Sequence, residues 1–223
     1  MTGKRTYGDR CGVARALDII GERWALLVVR ELLLGPKRFT DLRDGMPNVS
    51  PDVLSQRLRE LERAGILHRR KLPPPAGSQV YELTPWGLEL EPVVLGLGRW
   101  GSRAPFPAGE ARIGVDAFVI ALRTVFDPAV ANGMDATYEL RLGEHRFHAR
   151  VADGRLDVAR GTADGRAATI AGDPATLSMV LWHGRDLDEA IASGGLEIDG
   201  SRDAATRFLA LFPPPVPAVA EPS

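Results

Sequence analysis

Cysteine is almost absent. Of 223 residues only Cys11 carries a thiol, which excludes an internal disulfide. Long apolar runs are missing too. Hydrophobic residues make up 44% of the chain, enough for a core, yet no stretch approaches the roughly 20 residues that cross a membrane. The opening Met1-Thr2-Gly3-Lys4-Arg5 has no apolar signal region, so the expected location is cytoplasmic, with no membrane partner. Catalytic signatures are also lacking: there is no Gly-rich phosphate loop, no Gly-x-Ser-x-Gly elbow and no convincing pair of catalytic carboxylates. His145, His148 and His183 are too scattered for a metal site. The expectation is a non-enzyme without metal or cofactor. Lysine is scarce beside arginine while Ala and Gly abound, which reads as the mark of a GC-rich bacterial genome.

What is present is unevenly spread. The net charge of -1 hides an asymmetry: residues 1–71 hold 15 Lys and Arg against 9 Asp and Glu, whereas residues 111–223 hold 11 against 16. A basic first part and an acidic last part suggest that only the first meets nucleic acid.

The stretch from Pro47 to Gly65 reads as a helix with marked ends. Ser50 suits the N-cap, Pro51 the first helical position, Asp52 the positive helix start, and Gly65 the stop. Leu54, Leu58 and Leu61 define a buried stripe, with Val53 and Ala64 beside it. Asp52, Ser55, Gln56, Arg59 and Arg63 fall opposite. Such a helix packs on one side and offers hydrogen bonds and positive charge on the other, as a helix in a DNA major groove must.

Upstream, Cys11 to Leu34 predicts two helices. Val13, Leu17 and Ile20 form one stripe, Gly21 breaks it, and Trp24, Leu27, Val28 and Leu32 form the next. Phe39 to Met46 predicts a short helix, so that short helix, turn and longer helix make a helix-turn-helix. Leu67 to Leu72 and Gln79 to Leu83 predict a hairpin with a proline-rich tip and the basic run Arg69-Arg70-Lys71, a wing. Thr84 caps a further helix to about Gly101, more apolar than a small domain needs. It is read as a dimerisation helix, with Leu95 and Trp100 as its contacts.

Cys11, Gly21-Glu22-Arg23-Trp24, Gly35, Arg38-Phe39, Leu42, Leu54, Arg57-Leu58, Leu61-Glu62, Gly65, Tyr81-Glu82-Leu83-Thr84, Gly87, Pro92 and Trp100 occur in one order. On these residues the segment resembles the HxlR family of winged helix-turn-helix transcriptional regulators, a branch related to the MarR regulators. The resemblance implies a homodimer on double-stranded operator DNA with inverted repeats. The chain departs from it at the wing tip, Pro73-Pro74-Pro75. Cys11 matches the place of a redox-sensing cysteine in some relatives, and Arg10 and Arg15 flank it. The plainer reading, which is preferred, is a small apolar residue at a helix start.

Residues 103–112 read as a linker. Beyond it Val115, Phe118, Val119, Leu122 and Phe126 predict an amphipathic helix. Strands follow at Tyr138–Leu142, Phe147–Val151, Leu156–Val158 and Ala167–Ala171, then helices capped by Asp173 and Asp186, a strand at Leu196–Asp199, and a helix from Ser201 to Phe212. Val151-Ala152-Asp153-Gly154-Arg155, Ala171-Gly172-Asp173-Pro174-Ala175-Thr176 and Ser193 to Gly200 are similar to the sterol carrier protein type 2 fold. That resemblance implies a curved sheet with helices over one face and an apolar tunnel. Phe118, Ala121, Leu122, Tyr138, Met179, Trp182, Leu187 and Ile191 either line such a pocket or fill an ordinary core, and the pocket reading rests on the resemblance.

The expected fold class is α+β. A winged helix-turn-helix spans 1–102, a linker 103–112, a sterol-carrier-like α/β sandwich with a mostly antiparallel sheet 113–212, and a disordered tail 213–223. Ser55, Gln56 and Arg59 are the candidates for base edges, with Ser50 and Pro51 at the helix start. Arg57 lies near the apolar stripe, where an ion pair or a phosphate contact fits better than base readout. Arg69 and Lys71 are candidates for phosphate, while strand alternation sends Arg70 to the other face. The expected function is a homodimeric repressor whose C-terminal domain senses an apolar small-molecule effector. The alternatives are a redox regulator acting through Cys11, with a ligand-free C-terminal dimerisation module, and a lipid-binding or transfer protein.

Overall fold

The computed structural model describes residues 6–75, 77–105 and 113–218, and divides into two compact units, Met1–Val94 and Leu95–Ser223. In the first unit α1 (Gly12–Ile20) ends where Gly21 passes within 2.5 Å, Cβ position to oxygen, of the Leu17 carbonyl. Of its expected stripe only Ile20 is buried; Val13 and Leu17 face out. Trp24 takes a left-handed backbone at φ 77° and opens α2 (Ala25–Leu32), with the Arg23 guanidinium 5.2 Å from its ring centre. That turn rotates the inward face of α2 to Ala25, Val28, Val29 and Leu32, leaving Leu27 outside.

The short helix α3 (Phe39–Gly45) and the long helix α4 (Pro51–Arg63) form the expected helix-turn-helix. Ser50 Oγ accepts the Val53 N–H at 3.3 Å, and Gly65 stops the chain at φ +75°. Leu54, Leu58 and Leu61 are buried together with Leu42, Met46 and Val49. Strands β1 (Leu67–Lys71) and β2 (Gln79–Leu83) pair antiparallel, Leu67 opposite Leu83 and Lys71 opposite Gln79. Lys37 adds a bridge on the far side of β2, its backbone exchanging two bonds with Tyr81 at 3.0 and 2.8 Å.

The single helix expected from Pro85 to Gly101 is two: α5 (Pro85–Leu88) and α6 (Glu91–Gly101). Pro92 is the reason. It has no N–H for the Leu88 carbonyl, and its ring clashes with a continuous helix there. Gly87 lies buried at the start, where a Cβ would sit 2.0 Å from the Ile66 carbonyl oxygen.

The second unit holds α7 (Val115–Val125), strands β3 (Ala136–Leu142), β4 (His145–Ala152), β5 (Arg155–Arg160) and β6 (Ala168–Gly172), helices α8 (Pro174–Trp182) and α9 (Leu187–Ala192), β7 (Leu196–Gly200) and α10 (Arg202–Leu209). The sheet order is β5-β4-β3-β6-β7, antiparallel except for the parallel pair β3–β6. Tyr138, Leu140, Leu142, Phe147, Ala149, Val151, Ala168 and Ile170 are buried along it. Phe208 of α10 stacks on Tyr138 at 4.4 Å, and Asp116 of α7 pairs with Arg160, whose guanidinium lies over Phe147. Residues 106–112 of the expected linker and 219–223 of the tail lie outside the described residues. Within 213–218, Arg103 Nε donates to the Val216 carbonyl at 3.1 Å and Ala218 N–H donates to the Arg103 carbonyl at 2.9 Å.

Strand alternation puts Glu139 among the outward residues, yet it is 1% exposed, because the crossover chain between β5 and β6 covers it. Its carboxylate accepts from Arg141 Nε at 2.6 Å and from the Ala163 N–H at 3.3 Å. Burial alone pushes its pKa up, but the Arg141 and Ala163 hydrogen bonds and the Arg141 and Arg166 charges outweigh that and hold it below the usual range. A carboxylate depressed in the folded state stabilises above its unfolded pKa, and that stability is lost as pH falls through the folded value. The melting-temperature gap between wild type and Glu139→Gln is therefore expected to be wide at neutral pH and to shrink below about pH 4. A gap of equal size at pH 7 and pH 3 would rule out the carboxylate charge as its source.

Candidate nucleic-acid interface

Helix α4 is locked by its buried leucines and turns its other face outward. Gln56, Arg59 and Arg63 lie exposed at spacings of three and four, so they share that face. Neither Arg59 nor Arg63 has a hydrogen-bond or ion-pair partner among the described residues. Gln56 donates to Glu60 at 3.0 Å, which leaves its amide oxygen free to accept. Ser55 is half-buried at the edge of the face, while Ser50 and Pro51 are exposed at the helix start. Arg63 completes the row. The same helical spacing that singles out Gln56 and Arg59 contains it, although it is not among the base-edge candidates read from sequence.

Arg57 is not brought to this face. It is 7% exposed, paired with Glu60 and 3.7 Å from Glu22. The ion-pair role fits its place, and with its guanidinium turned into the unit it cannot reach a base edge. In the wing, Arg69 donates to Glu62 at 2.9 Å, and hydrogen bonding with that carboxylate raises its pKa. Arg70 pairs with Glu82 on the other side of the hairpin, as alternation requires. Both pairs are largely solvated, so each contributes little to stability and a phosphate can compete for the arginine. Lys71 is exposed with no partner among the described residues, which makes it the freest cation of the basic run. Across the face of α4 and the wing, the chain therefore offers hydrogen-bonding groups flanked by cations.

The profile of the HxlR-like helix-turn-helix family matches residues 19–106. The uncharacterised HTH-type transcriptional regulator YdeP of Bacillus subtilis (strain 168) is 40% identical over 98 residues, 43% of this chain and 74% of its own length. The chain belongs to the HxlR-like helix-turn-helix family. The HTH-type transcriptional regulator YodB of the same organism is 34% identical over 88 residues, 40% of this chain and 79% of its own length. The solved reduced form of YodB from B. subtilis is 32% identical, covers 43% of this chain and 94% of its own, and has a TM-score of 0.38. The curated relatives are named regulators, not enzymes, and this HxlR-like chain is a helix-turn-helix transcriptional regulator. The family match ends at residue 106, so the strands and helices from α7 onward stand apart from it.

Along α6, Leu95 is half-buried, while Val93, Leu97 and Trp100 are exposed at spacings of four and three, Trp100 at 74%. Cys11 is exposed as a free thiol just before α1. Phe118, Leu122 and Tyr138 are buried, with Phe118 and Trp182 ring centres 5.6 Å apart. Ala121, Trp182, Leu187 and Ile191 are half-buried and Met179 is exposed. An open concavity of about 380 Å³ lies elsewhere, lined by Asn132 to Ala136 and Arg207, and shares none of these residues. Sequence reading passed over Glu31, which is fully buried in α2. Its place three residues after Val28, inside the apolar stripe, is the signal that marks it.

Proposed function

We propose that the protein binds operator DNA as a homodimer and represses transcription. Helix α4 enters the major groove, where Gln56 and Arg59 meet base edges, and Lys71 with Arg69 brings the wing to phosphate. The observation that carries this reading is the exposed, unpaired Arg59 on a helix whose opposite face is fixed in the core. The dimer reading is supported by the exposed Val93, Leu97 and Trp100. A row of large apolar side chains on one helix is a surface that association removes from water. The expected location is cytoplasmic.

The second unit supports an effector reading. Its mostly antiparallel sheet carries helices and suits a sterol-carrier-like fold of residues 113–212 joined through 103–112. Helix α8 is largely apolar with no distinct polar face, yet Leu177 is its one fully buried residue. An apolar ligand against Ala121, Met179, Trp182, Leu187 and Ile191, over the packed Phe118, Leu122 and Tyr138, would cover it. By preferring one placement of the two recognition helices, such a ligand would shift operator affinity. Cys11, exposed and free, is where an oxidant input would enter instead, and loss of peroxide sensitivity in Cys11→Ser would separate the two inputs.

A native mass spectrum of the purified protein tests the assembly. The expected result is twice the chain mass of 24.1 kDa, with Trp100→Ala shifted to the monomer at the same concentration. A retained small mass favours the effector, and a bare dimer favours a second unit that only braces association. A monomeric wild type at micromolar concentration would sink the dimer.

A further inference from the structure

Glu31 is 1% exposed, one residue from the end of the leucine-rich helix α2, and three segments meet around it. Lys37 Nζ donates to its Oε2 at 2.6 Å, and Arg30 donates to its Oε1 from Nη2 at 2.7 Å and Nε at 3.2 Å. At the end of α3, Gly45 leaves the space for it: a Cβ there would lie 2.3 Å from Glu31 Oε2. The backbone of Lys37 in turn holds Tyr81 of β2 through two hydrogen bonds. Tyr81 stands opposite Arg69, two residues before Lys71. One carboxylate therefore touches the helix before the recognition motif and the end of α3, and through Lys37 it reaches the wing.

We infer that Glu31 is a positioning residue for DNA binding. It seats the Lys37–Tyr81 bridge, and so sets where the wing presents its cations, without itself touching DNA. The inference rests on the reading that the wing contacts phosphate. A buried carboxylate is costly unless paired, so its presence on an otherwise apolar face implies a role that a leucine would not fill. With β1 on one edge of β2, the other edge is left to Lys37, which pairs there with Tyr81. Removing the carboxylate takes away the 2.6 Å contact that ties the Lys37 ammonium to α2, and the bridge is loosened at that end.

The test uses the full chain carrying Glu31→Gln and, in parallel, Lys37→Met, which keeps the length of the stem and leaves Glu31 paired with Arg30. Amide hydrogen exchange of the free protein reads the geometry. The Lys37 and Tyr81 N–H groups are expected to exchange at least about tenfold faster, a loss of local protection, while the α4 core amides keep theirs. Unchanged exchange at both residues in a folded variant overturns the proposal. Binding to a random-sequence duplex reads the consequence. Each phosphate that the protein no longer neutralises lowers the slope of log K against log salt by about 0.9. Lys71→Ala is expected to lower the slope in wild type and to have little further effect in either variant. A residue that merely supports the fold would lower the melting temperature and leave the slope of the folded protein unmoved. An equal drop on Lys71→Ala in wild type and variants overturns the positioning role alone. A wild-type slope indifferent to Lys71→Ala overturns the wing reading and this role with it.

Discussion

Gly87→Ala is expected to cost the winged-helix unit about 3 kcal/mol, at the upper end of what an overfilled core position costs. The added methyl has nowhere to go. Its carbon would stand 2.0 Å from the Ile66 carbonyl oxygen and 3.2 Å from Leu83 Cδ2. The first of these is backbone, and it is held in place: the same oxygen accepts from Thr84 N–H at 3.0 Å and Thr84 Oγ1 at 3.2 Å. Relief requires α5 to move away from Ile66 just before β1, which breaks the Thr84 contacts to that carbonyl and uncovers Leu83. For a unit of this size each kcal/mol shifts the melting temperature by about 4–8 °C, so a drop of roughly ten degrees or more is expected by circular dichroism. Gly96→Ala is the matched control. Gly96 is exposed within α6 with nothing within 4 Å of its Cβ position, so alanine there should raise helix stability by up to about 1 kcal/mol. Equal melting temperatures for the two variants would show that α5 yields without cost.

Arg59→Ala is expected to weaken operator binding by about 1–3 kcal/mol and to relax sequence preference, while binding to random duplex falls far less. The reasoning is geometric. Arg59 is exposed and unpaired, and a guanidinium reaches the O6 and N7 acceptors of guanine in a bidentate fork. Arg57→Ala separates the two arginines. It removes a buried, paired guanidinium and is expected to lower stability through Glu60 and Glu22 rather than to broaden specificity. A selection from random DNA recovering the same consensus with wild type and Arg59→Ala would remove Arg59 from base readout and leave it a phosphate contact.

Most of the helix-turn-helix was legible in the chain because local chemistry decides it. Ser50, Pro51 and Gly65 mark α4 by capping and backbone rules that hold whatever surrounds them, and Leu54, Leu58 and Leu61 lie inward as their spacing requires. Burial was harder to read, because it depends on which other segment covers a residue. Glu139 alternates outward in its strand, and only the crossover chain that lies over it makes it internal. Glu31 looks like one charge on a helix until Lys37 and Gly45 close around it. Val13 and Leu17 have helical spacing yet stay exposed, because spacing does not say whether another segment covers them. The break between α5 and α6 was readable, since Pro92 alone forbids a continuous helix. Of the interface, the row on α4 follows from spacing, whereas the pairing of Arg57 and Arg69 with carboxylates needs three dimensions.

The parallel join of β3 to β6 bears on the order in which the chain folds. The hairpin of the first unit closes over a short span, β1 to β2 across the wing, and its helix-turn-helix joins neighbours in sequence. By contrast Tyr138 must find Ala168, thirty residues on, after two hairpins have already formed, and β7 can add only once β6 is in place. Loop closure over such distances is slow, and rates fall as contacts become less local. On a ribosome the DNA-binding unit emerges ahead of the sheet; its hairpin and helix-turn-helix form by local steps and the Lys37–Tyr81 bridge spans a longer loop, while the sheet completes late, with the open edge of β3 waiting for β6. Refolding from denaturant should then proceed in two phases, the faster reporting the winged helix and the slower the five-stranded sheet.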